Sequence, residues 1–239
     1  MEFMNETTQT ARVAAVPVKV DIWSDVQCGW CYIAKRRLEA AVERFDGEIE
    51  MEIEYHSFEL APEAPVEFDG ATKEFLNHYR GVPIPEAERM LARVTSIAAG
   101  AGLEYHFDRT HPTNTIIAHE LIHFAKSKGR QPEMNERLSD AYFHRGEHIG
   151  RIPDLVEIAG ELGFDRDEVE TALTEHRFLA DVKADFAKAA ELGIQGIPFF
   201  VFDGRYGLSG AQDKEAFLQV LRQLADERKA APGLKAEAR

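Results

Sequence analysis

The chain is poor in the residues that usually betray a function through composition. Its 239 residues hold only two cysteines and two tryptophans. Two thiols cannot supply a disulfide framework, so the fold depends on a packed core, for which a hydrophobic content of 44% is ample. Positive charge is also short: 28 Lys and Arg against 42 Asp and Glu leave a formal net charge of −14. An acidic surface repels phosphate backbones and anionic head groups, so neither nucleic acid nor a membrane surface is an expected partner. No apolar run approaches the ~18 residues that would span a bilayer. The opening MEFMNETTQTARVAAVPVKV lacks a basic start followed by an apolar stretch, the pattern of a secretory signal. The expectation is a cytoplasmic protein, monomeric or homodimeric, with loose tails at 1–16 and 229–239.

What is present is organised by period. VKVDIW, Val18 to Trp23, alternates and is rich in β-branched and aromatic residues, which predicts a strand. From Cys28 to Phe45, Tyr32, Leu38, Ala41, Val42 and Phe45 recur at helical spacing, with Gly47 as the stop. IEMEIEYHSF then sets Ile49, Met51, Ile53 and Tyr55 on one side and Glu50, Glu52 and Glu54 on the other, as in an edge strand with one wet face. Strand, helix, strand demands a parallel pair with a right-handed crossover.

From about residue 70 to Gly193 the pattern is helical throughout. Pro85, Pro132 and Pro153 stand where helices open; Gly102, Gly129, Gly146, Gly163 and Gly193 stand where they close. No fixed period repeats, so this stretch is a helical subdomain and not a solenoid. Strand signals return at IPFFVF, Ile197 to Phe202; DGR turns the chain into YGLSG, and Asp213 caps a last helix through Leu224. Neither end has enough strands to stand alone, so the two must complete one sheet. The predicted fold class is α/β, βαβ…ββα, with an all-helical insertion between the second and third strands. Residues 17–69 and 194–228 make one domain and 70–193 the insertion. Val18–Trp23 should pair in parallel with Ile49–Tyr55 and take Phe199–Phe202 on its other side.

The two cysteines, Cys28 and Cys31, stand three positions apart in SDVQCGWCYIAKRR, a spacing that random placement produces about once in a hundred. Structural zinc needs four ligands, and neither a second C-x-x-C nor a His pair accompanies them. His144 and His148 are four apart, but HRGEH lacks the H-E-x-x-H order and its Gly ends a helix, so no metal is expected there either. A structural Cys28–Cys31 bridge would close too small a loop to stabilise much. A redox pair remains. Cys28 lies where a helix begins directly after a strand, and the helix dipole there favours thiolate over thiol. Cys31, one turn on, is placed to attack a mixed disulfide formed at Cys28. This makes Cys28 the exposed nucleophile and Cys31 the more buried resolving thiol.

DIWSDVQCGWCYIAKRRLE at 21–39 resembles the opening of the FrnE-like branch of the DsbA family, thioredoxin-fold thiol–disulfide oxidoreductases with a helical insertion. SFEL at 57–60, NTIIAHEL at 114–121, AYF at 141–143, GIQGIPFFVF at 193–202 and SGAQ at 209–212 continue the likeness in order along almost the whole chain. The resemblance implies a thioredoxin-like fold and disulfide exchange with protein or low-molecular-weight thiol substrates. It implies no cofactor beyond the redox-active disulfide, with glutathione or another small thiol as co-substrate. It further implies a cis Ile197–Pro198 bond beside the cysteines, where substrate pairs with the backbone, and contacts from Gly29 and Trp30. Gly29 stands where the family commonly has Pro.

Asp21 and Asp25 are the acids nearest the pair. By analogy with the buried strand acid of thioredoxins, Asp21 is the positional match for proton transfer; its alternative reading is an ordinary polar residue at a strand end. Asn114 and His119 read equally as family-motif residues or as a helix cap and a satisfied core histidine. Kappa glutathione transferases and 2-hydroxychromene-2-carboxylate isomerases also carry a helical insertion. They use Ser as nucleophile and need no second thiol, so two cysteines argue against them. A chaperone-like module, its thiols incidental, is the third reading.

Overall fold

The computed structural model describes residues 15–45 and 48–230, so Gly47 and nearly all of both expected tails lie outside the described residues. One sheet organises the rest: β1 (Val16–Ser24), β2 (Ile49–Ser57), β3 (Phe199–Phe202) and β4 (Tyr206–Ser209), in the order β2-β1-β3-β4. β1 and β2 run parallel with Val16 opposite Ile49 and Ser24 opposite Ser57. β3 lies antiparallel on the other side of β1, with Trp23 opposite Phe199. The glutamate-striped strand is therefore at an edge, as its alternation predicts. Its open edge is partly closed by a side chain: Gln131 accepts from Tyr55 N (3.0 Å) and donates to Tyr55 O (2.8 Å). That pair of bonds imitates a neighbouring strand and leaves less of the edge open to pairing.

The period-two pattern of β1 decides what each face meets. Val18, Val20 and Ile22 join Phe200 and Phe202 on one face, under Ala34, Leu38 and Ala41 of α1 (Gly29–Val42) and Phe217 and Leu221 of α9 (Lys214–Ala230). Trp23 points the other way and packs with Ala189 of α8 (Leu179–Glu191) and with Ile194. Between β2 and β3 run α2 (Thr72–Arg80), α3 (Ile84–Gly100), α4 (Ile116–Ser127), α5 (Gln131–Asp140), a π-turn at Ala141–Arg145, α6 (Ile152–Glu161), α7 (Arg166–Thr174) and α8. This is the insertion that the sequence predicts. Its core, built on Leu121, Met134, Leu138, Phe143 and Leu155, also takes in Val26, Tyr32 and Ile33. The helix that carries the two cysteines, α1, thus belongs to both cores.

Local chemistry explains the boundaries. Pro85, Pro132 and Pro153 occupy the first turns of α3, α5 and α6, where a missing N–H costs nothing. Asp203 (φ 50°) and Gly204 (φ 64°) are both left-handed, which is what the tight reversal from β3 to β4 needs. Asp213 Oδ1 accepts from Ala216 N at 3.0 Å, capping α9 as expected. Three boundaries differ from expectation. β1 begins at Val16, inside the expected tail, because Val16 N donates to Glu48 O at 2.7 Å. α1 ends at Val42 and tightens into a single 3₁₀ turn over Glu43–Phe45. α9 continues past Leu224 to Ala230, through a charged stretch with no proline or glycine to stop it. Among the described residues, no helix is long and apolar enough to cross a membrane.

Candidate active site

β1 delivers the chain to a short turn, Asp25–Cys28, from which α1 starts. Cys28 is the N-cap residue in extended conformation (φ −88°, ψ 103°), and its carbonyl accepts from Cys31 N at 2.9 Å. Cys28 N is itself held by Asp25 O at 3.0 Å. One helical turn on, the Cys31 thiol has the Cys28 sulfur, the Ser24 side chain and the Asp25 backbone as its electrostatic neighbours. Burial pushes the Cys31 thiol well above its ordinary range, and the neighbouring Cys28 sulfur adds to this; Asp25 and Ser24 pull the other way and lose. Cys31 is therefore kept as a thiol.

The expected contrast between an exposed Cys28 and a buried Cys31 needs correction. Cys28 is 4% exposed and Cys31 6%. The insertion stands against the turn and covers it. Tyr105 Oη donates to Gly29 O at 2.8 Å, and the Tyr105 ring stacks on Phe143 with centroids 4.3 Å apart. A Cβ at Gly29 would meet Tyr105 at 3.1 Å, Val94 at 3.4 Å and Phe143 at 3.6 Å. This wall explains why a residue without a side chain suits position 29, where the family commonly has a ring. Trp30, 37% exposed, is the large apolar side chain that the motif presents outward.

Asp25, in the turn that leads to Cys28, is a buried acid. It is 1% exposed, and its carboxylate accepts from Leu60 N (2.8 Å), Gln27 N (3.2 Å) and Thr115 Oγ1 (3.1 Å). His119 Nε2 stands 3.8 Å from it and donates to Phe58 O at 3.2 Å. Asp21, the expected proton-transfer residue, faces elsewhere: its Oδ1 meets His56 Nε2 at 2.9 Å and Lys19 Nζ at 3.1 Å. The strand period is the reason. Asp21 and Trp23 share the face turned toward α8, whereas Asp25 follows the end of β1, where the chain bends under the cysteines. Asn114 proves to be a connector, with Oδ1 accepting from Ile116 N (3.0 Å) and Nδ2 donating to Glu59 (2.6 Å). Ser24, Thr115 and Tyr105 were not singled out from sequence. Thr115 lies inside the NTIIAHEL segment; Tyr105 lies in a loop with no pattern to mark it.

The far end of the chain brings Ile197 and Pro198 to the end of β1. The Ile197–Pro198 bond is cis. Pro198 is buried and comes one residue before Phe199, the partner of Trp23, so it stands beside Ser24 where β1 ends. Pro198 O accepts from Gly210 N at 2.8 Å. Ile197 is half-buried in the Trp23 cluster. His144 and His148, paired in sequence, part in the structure: Gly146 turns the chain (φ 67°), and His148 stacks on His111 with ring centroids 5.7 Å apart. Among the described residues, the groups of three or more potential metal ligands include neither cysteine.

A second polar network rivets β2 to the insertion. Asp185 of α8 accepts from Ser57 N (2.8 Å) and contacts His56 Nδ1 (2.8 Å) and His123 Nε2 (2.9 Å). Burial would raise the Asp185 carboxyl, but these hydrogen bonds outweigh it and hold the group well below the usual carboxylate range. His56, stacked on Trp23 at 4.4 Å, lies between Asp185 and Asp21. Burial works against its charge, yet the two carboxylates raise it above its ordinary 6.5. His119 goes the other way, lowered mainly by burial.

These shifts act on stability with opposite signs. The contribution of His56 is fully present below about pH 6.5 and is lost as pH rises through its folded value. That of His119 is present above about pH 6.5 and is lost as pH falls, because the unfolded chain takes up the proton first. Urea midpoints measured from pH 5 to 8 should show His56→Gln removing loss on the alkaline side and His119→Gln removing loss on the acid side. Equal effects of both variants at all pH values would contradict the assignment.

The profile of the DSBA-like thioredoxin domain matches residues 19–222, and the chain belongs to that family. Its fold and family are those of DsbA-type thiol–disulfide oxidoreductases. The probable DsbA oxidoreductase SCO1869 of Streptomyces coelicolor is 34% identical, with a TM-score of 0.83 over 92% of this chain and 95% of that one. The Bacillus subtilis protein YwbO is 30% identical over 89% of this chain and 98% of its own length. The cytosolic disulfide reductase DsbM of Pseudomonas aeruginosa, solved with GSH, is 20% identical, with a TM-score of 0.62 over 87% of this chain and 99% of that one. At that distance the likeness is one of fold alone, and a 2-hydroxychromene-2-carboxylate isomerase shares it too.

Proposed function

We propose that the protein is a cytoplasmic thiol–disulfide oxidoreductase that works through Cys28-Gly29-Trp30-Cys31 on protein or low-molecular-weight thiol substrates. The observation that carries this is the asymmetric pair. Cys28 ends the N-terminal side of α1, where a helix favours anionic groups, and Cys31 is held protonated within reach of it. In the reducing direction, the Cys28 thiolate attacks a substrate disulfide, forming a mixed disulfide and releasing one substrate thiolate. Cys31 gives up its proton, attacks the Cys28 sulfur and releases the second substrate thiol. Cys28–Cys31 is left oxidised, and two equivalents of a small thiol reduce it through a second mixed disulfide, leaving as their own disulfide. Oxidation of a substrate dithiol is the same sequence run backwards.

Substrate contact follows from the surroundings of the pair. Trp30 offers an exposed apolar face, and the Ile197 N–H and C=O have no hydrogen-bond partner among the described residues. An extended peptide can therefore pair with the backbone at Ile197 with little regard to its side chains, as broad exchange requires. The crystal structure of DsbM with GSH supports a small-thiol co-substrate. The isomerase and glutathione-transferase reading is weaker, since it gives no task to a second thiol placed at the first.

Cys31→Ser tests the reading. Without the resolving attack, Cys28 adducts should accumulate, and incubation with oxidised glutathione or a disulfide-bonded protein should give one mixed disulfide per chain by intact mass. Rapid, unassisted turnover by this variant in insulin reduction, with no adduct, would refute the two-thiol mechanism.

A further inference from the structure

The loop between α3 and α4 places a carboxylate and an imidazole on either side of Tyr105. Glu104 Oε1 meets His106 Nε2 at 2.7 Å, and Glu104 Oε2 lies 3.5 Å from Nδ1 of His144 in the π-turn. All three donor atoms lie within 4.8 Å of one another. The two segments are pinned together beside this cluster, because His106 N donates to Phe143 O at 2.8 Å. The imidazoles have ring centroids 5.7 Å apart. Sequence spacing sets His144 beside His148; the fold sets it instead beside two residues from a distant loop.

We propose that Glu104, His106 and His144 form a binding site for a divalent first-row transition ion of the zinc class. Two imidazoles and one carboxylate are a recurring three-ligand set for such ions, whereas magnesium and calcium prefer oxygen throughout. Zinc–nitrogen and zinc–oxygen bonds of about 2.0–2.2 Å place tetrahedral ligand atoms about 3.3 Å apart. The carboxylate meets the two imidazoles through different oxygens, Oε1 at 2.7 Å from His106 and Oε2 at 3.5 Å from His144, and one ligand atom from each residue lies within 4.8 Å of the others, so side-chain rotation must draw the set together around an ion. Glu104 and His144 also line the rim of a cavity of about 520 Å³ whose walls include Glu133, Glu136 and Asp140. Its two arginines are already committed, Arg36 to Glu136 and Glu39, Arg137 to Glu161 and Glu147. The wall carboxylates are paired as well, Glu133 with Arg130, Glu136 with Lys35 and Asp140 with Arg145, so the three ligands themselves would hold the ion, with the fourth position left for water. The other three-ligand cluster, Asp21, Glu54 and His56, is a poorer candidate: Lys19 Nζ already sits 3.1 Å from Asp21 and 3.0 Å from Glu54, and both nitrogens of His56 are engaged.

The ion would tie residues 104–106 to the π-turn and so brace the Tyr105 ring that stands on Gly29. The site does not depend on the redox reading, and its test excludes the thiols. The untagged full-length chain carrying Cys28→Ser and Cys31→Ser is titrated with zinc against a chromophoric chelator. One saturating equivalent is expected. Adding His106→Ala and His144→Ala should weaken it at least about tenfold, equivalent to about 1.4 kcal/mol. His144→Ala alone, at a side chain 46% exposed, should do the same without disturbing the fold. Thermal unfolding with zinc should shift upward in the parent and not in the His variants. No saturable uptake, or uptake undiminished in the His variants, overturns the site. So does uptake that disappears instead in His56→Gln.

Discussion

Replacing Cys28 with serine should reduce disulfide exchange to the background rate of the added thiol. The expected loss is at least about three orders of magnitude, or about 4 kcal/mol of barrier. The step that disappears is attack on a disulfide by sulfur; a hydroxyl at the same place is scarcely ionised at neutral pH and does not form the mixed disulfide. Cys31 does not substitute for it, because burial, the largest cause of its raised pKa, keeps Cys31 a thiol even without the Cys28 sulfur. The variant should fold normally, since a serine of similar size at the helix N-cap is favoured there. Insulin reduction, followed alongside circular dichroism, reads both outcomes. Wild-type rates in Cys28→Ser would sink the redox reading, and activity lost only together with the fold would leave the chaperone-like alternative standing.

The largest effect on stability is expected at Asp185. Its carboxylate takes hydrogen bonds from Ser57 N, His56 and His123, and it is 8% exposed. Asp185→Ala leaves His56 facing only Asp21 and strands a buried backbone donor. Breaking a buried charged network by removing one partner costs about 3–5 kcal/mol. For a chain of this size that corresponds to a fall of about 10 °C in the thermal midpoint. Asp185→Asn keeps the volume but aims a neutral amide at the histidines, and should fall between wild type and Ala. Urea unfolding monitored by tryptophan emission is a direct probe, because Trp23 stacks on His56 and donates to Asp185 O at 3.3 Å. A loss below about 1 kcal/mol would mean that the network is ornamental.

Much of the architecture is legible because it rests on local rules. Alternating glutamates mark β2 as an edge, prolines open helices, and Asp203-Gly204 turns a hairpin without help from distant residues. The cysteines too announce themselves, being the only two in the chain. What sequence conceals is contact between residues far apart. Asp25 outranks Asp21 because the chain bends after Ser24, which no periodicity records. Gln131 closes the β2 edge from more than 70 residues away. Cys28 is buried because Tyr105, from an unpatterned loop, stands over its turn. Each of these is a tertiary contact with no local signature.

One consequence concerns modularity. The octapeptide SDVQCGWC looks like a portable cassette, and thioredoxin-fold scaffolds that accept such grafts are plentiful. Here the cassette would travel without its housing. Thr115 and Leu60 N hold the Asp25 carboxylate in the turn before Cys28, and Tyr105 holds the carbonyl between the cysteines; two of these three come from the inserted helical segment. A transplanted motif would keep its thiols and lose the surroundings that make them unequal. Under the proposed function the insertion would be as much a part of the exchange machinery as the sulfurs, and tuning of the couple could proceed by drift in residues that never appear in the motif.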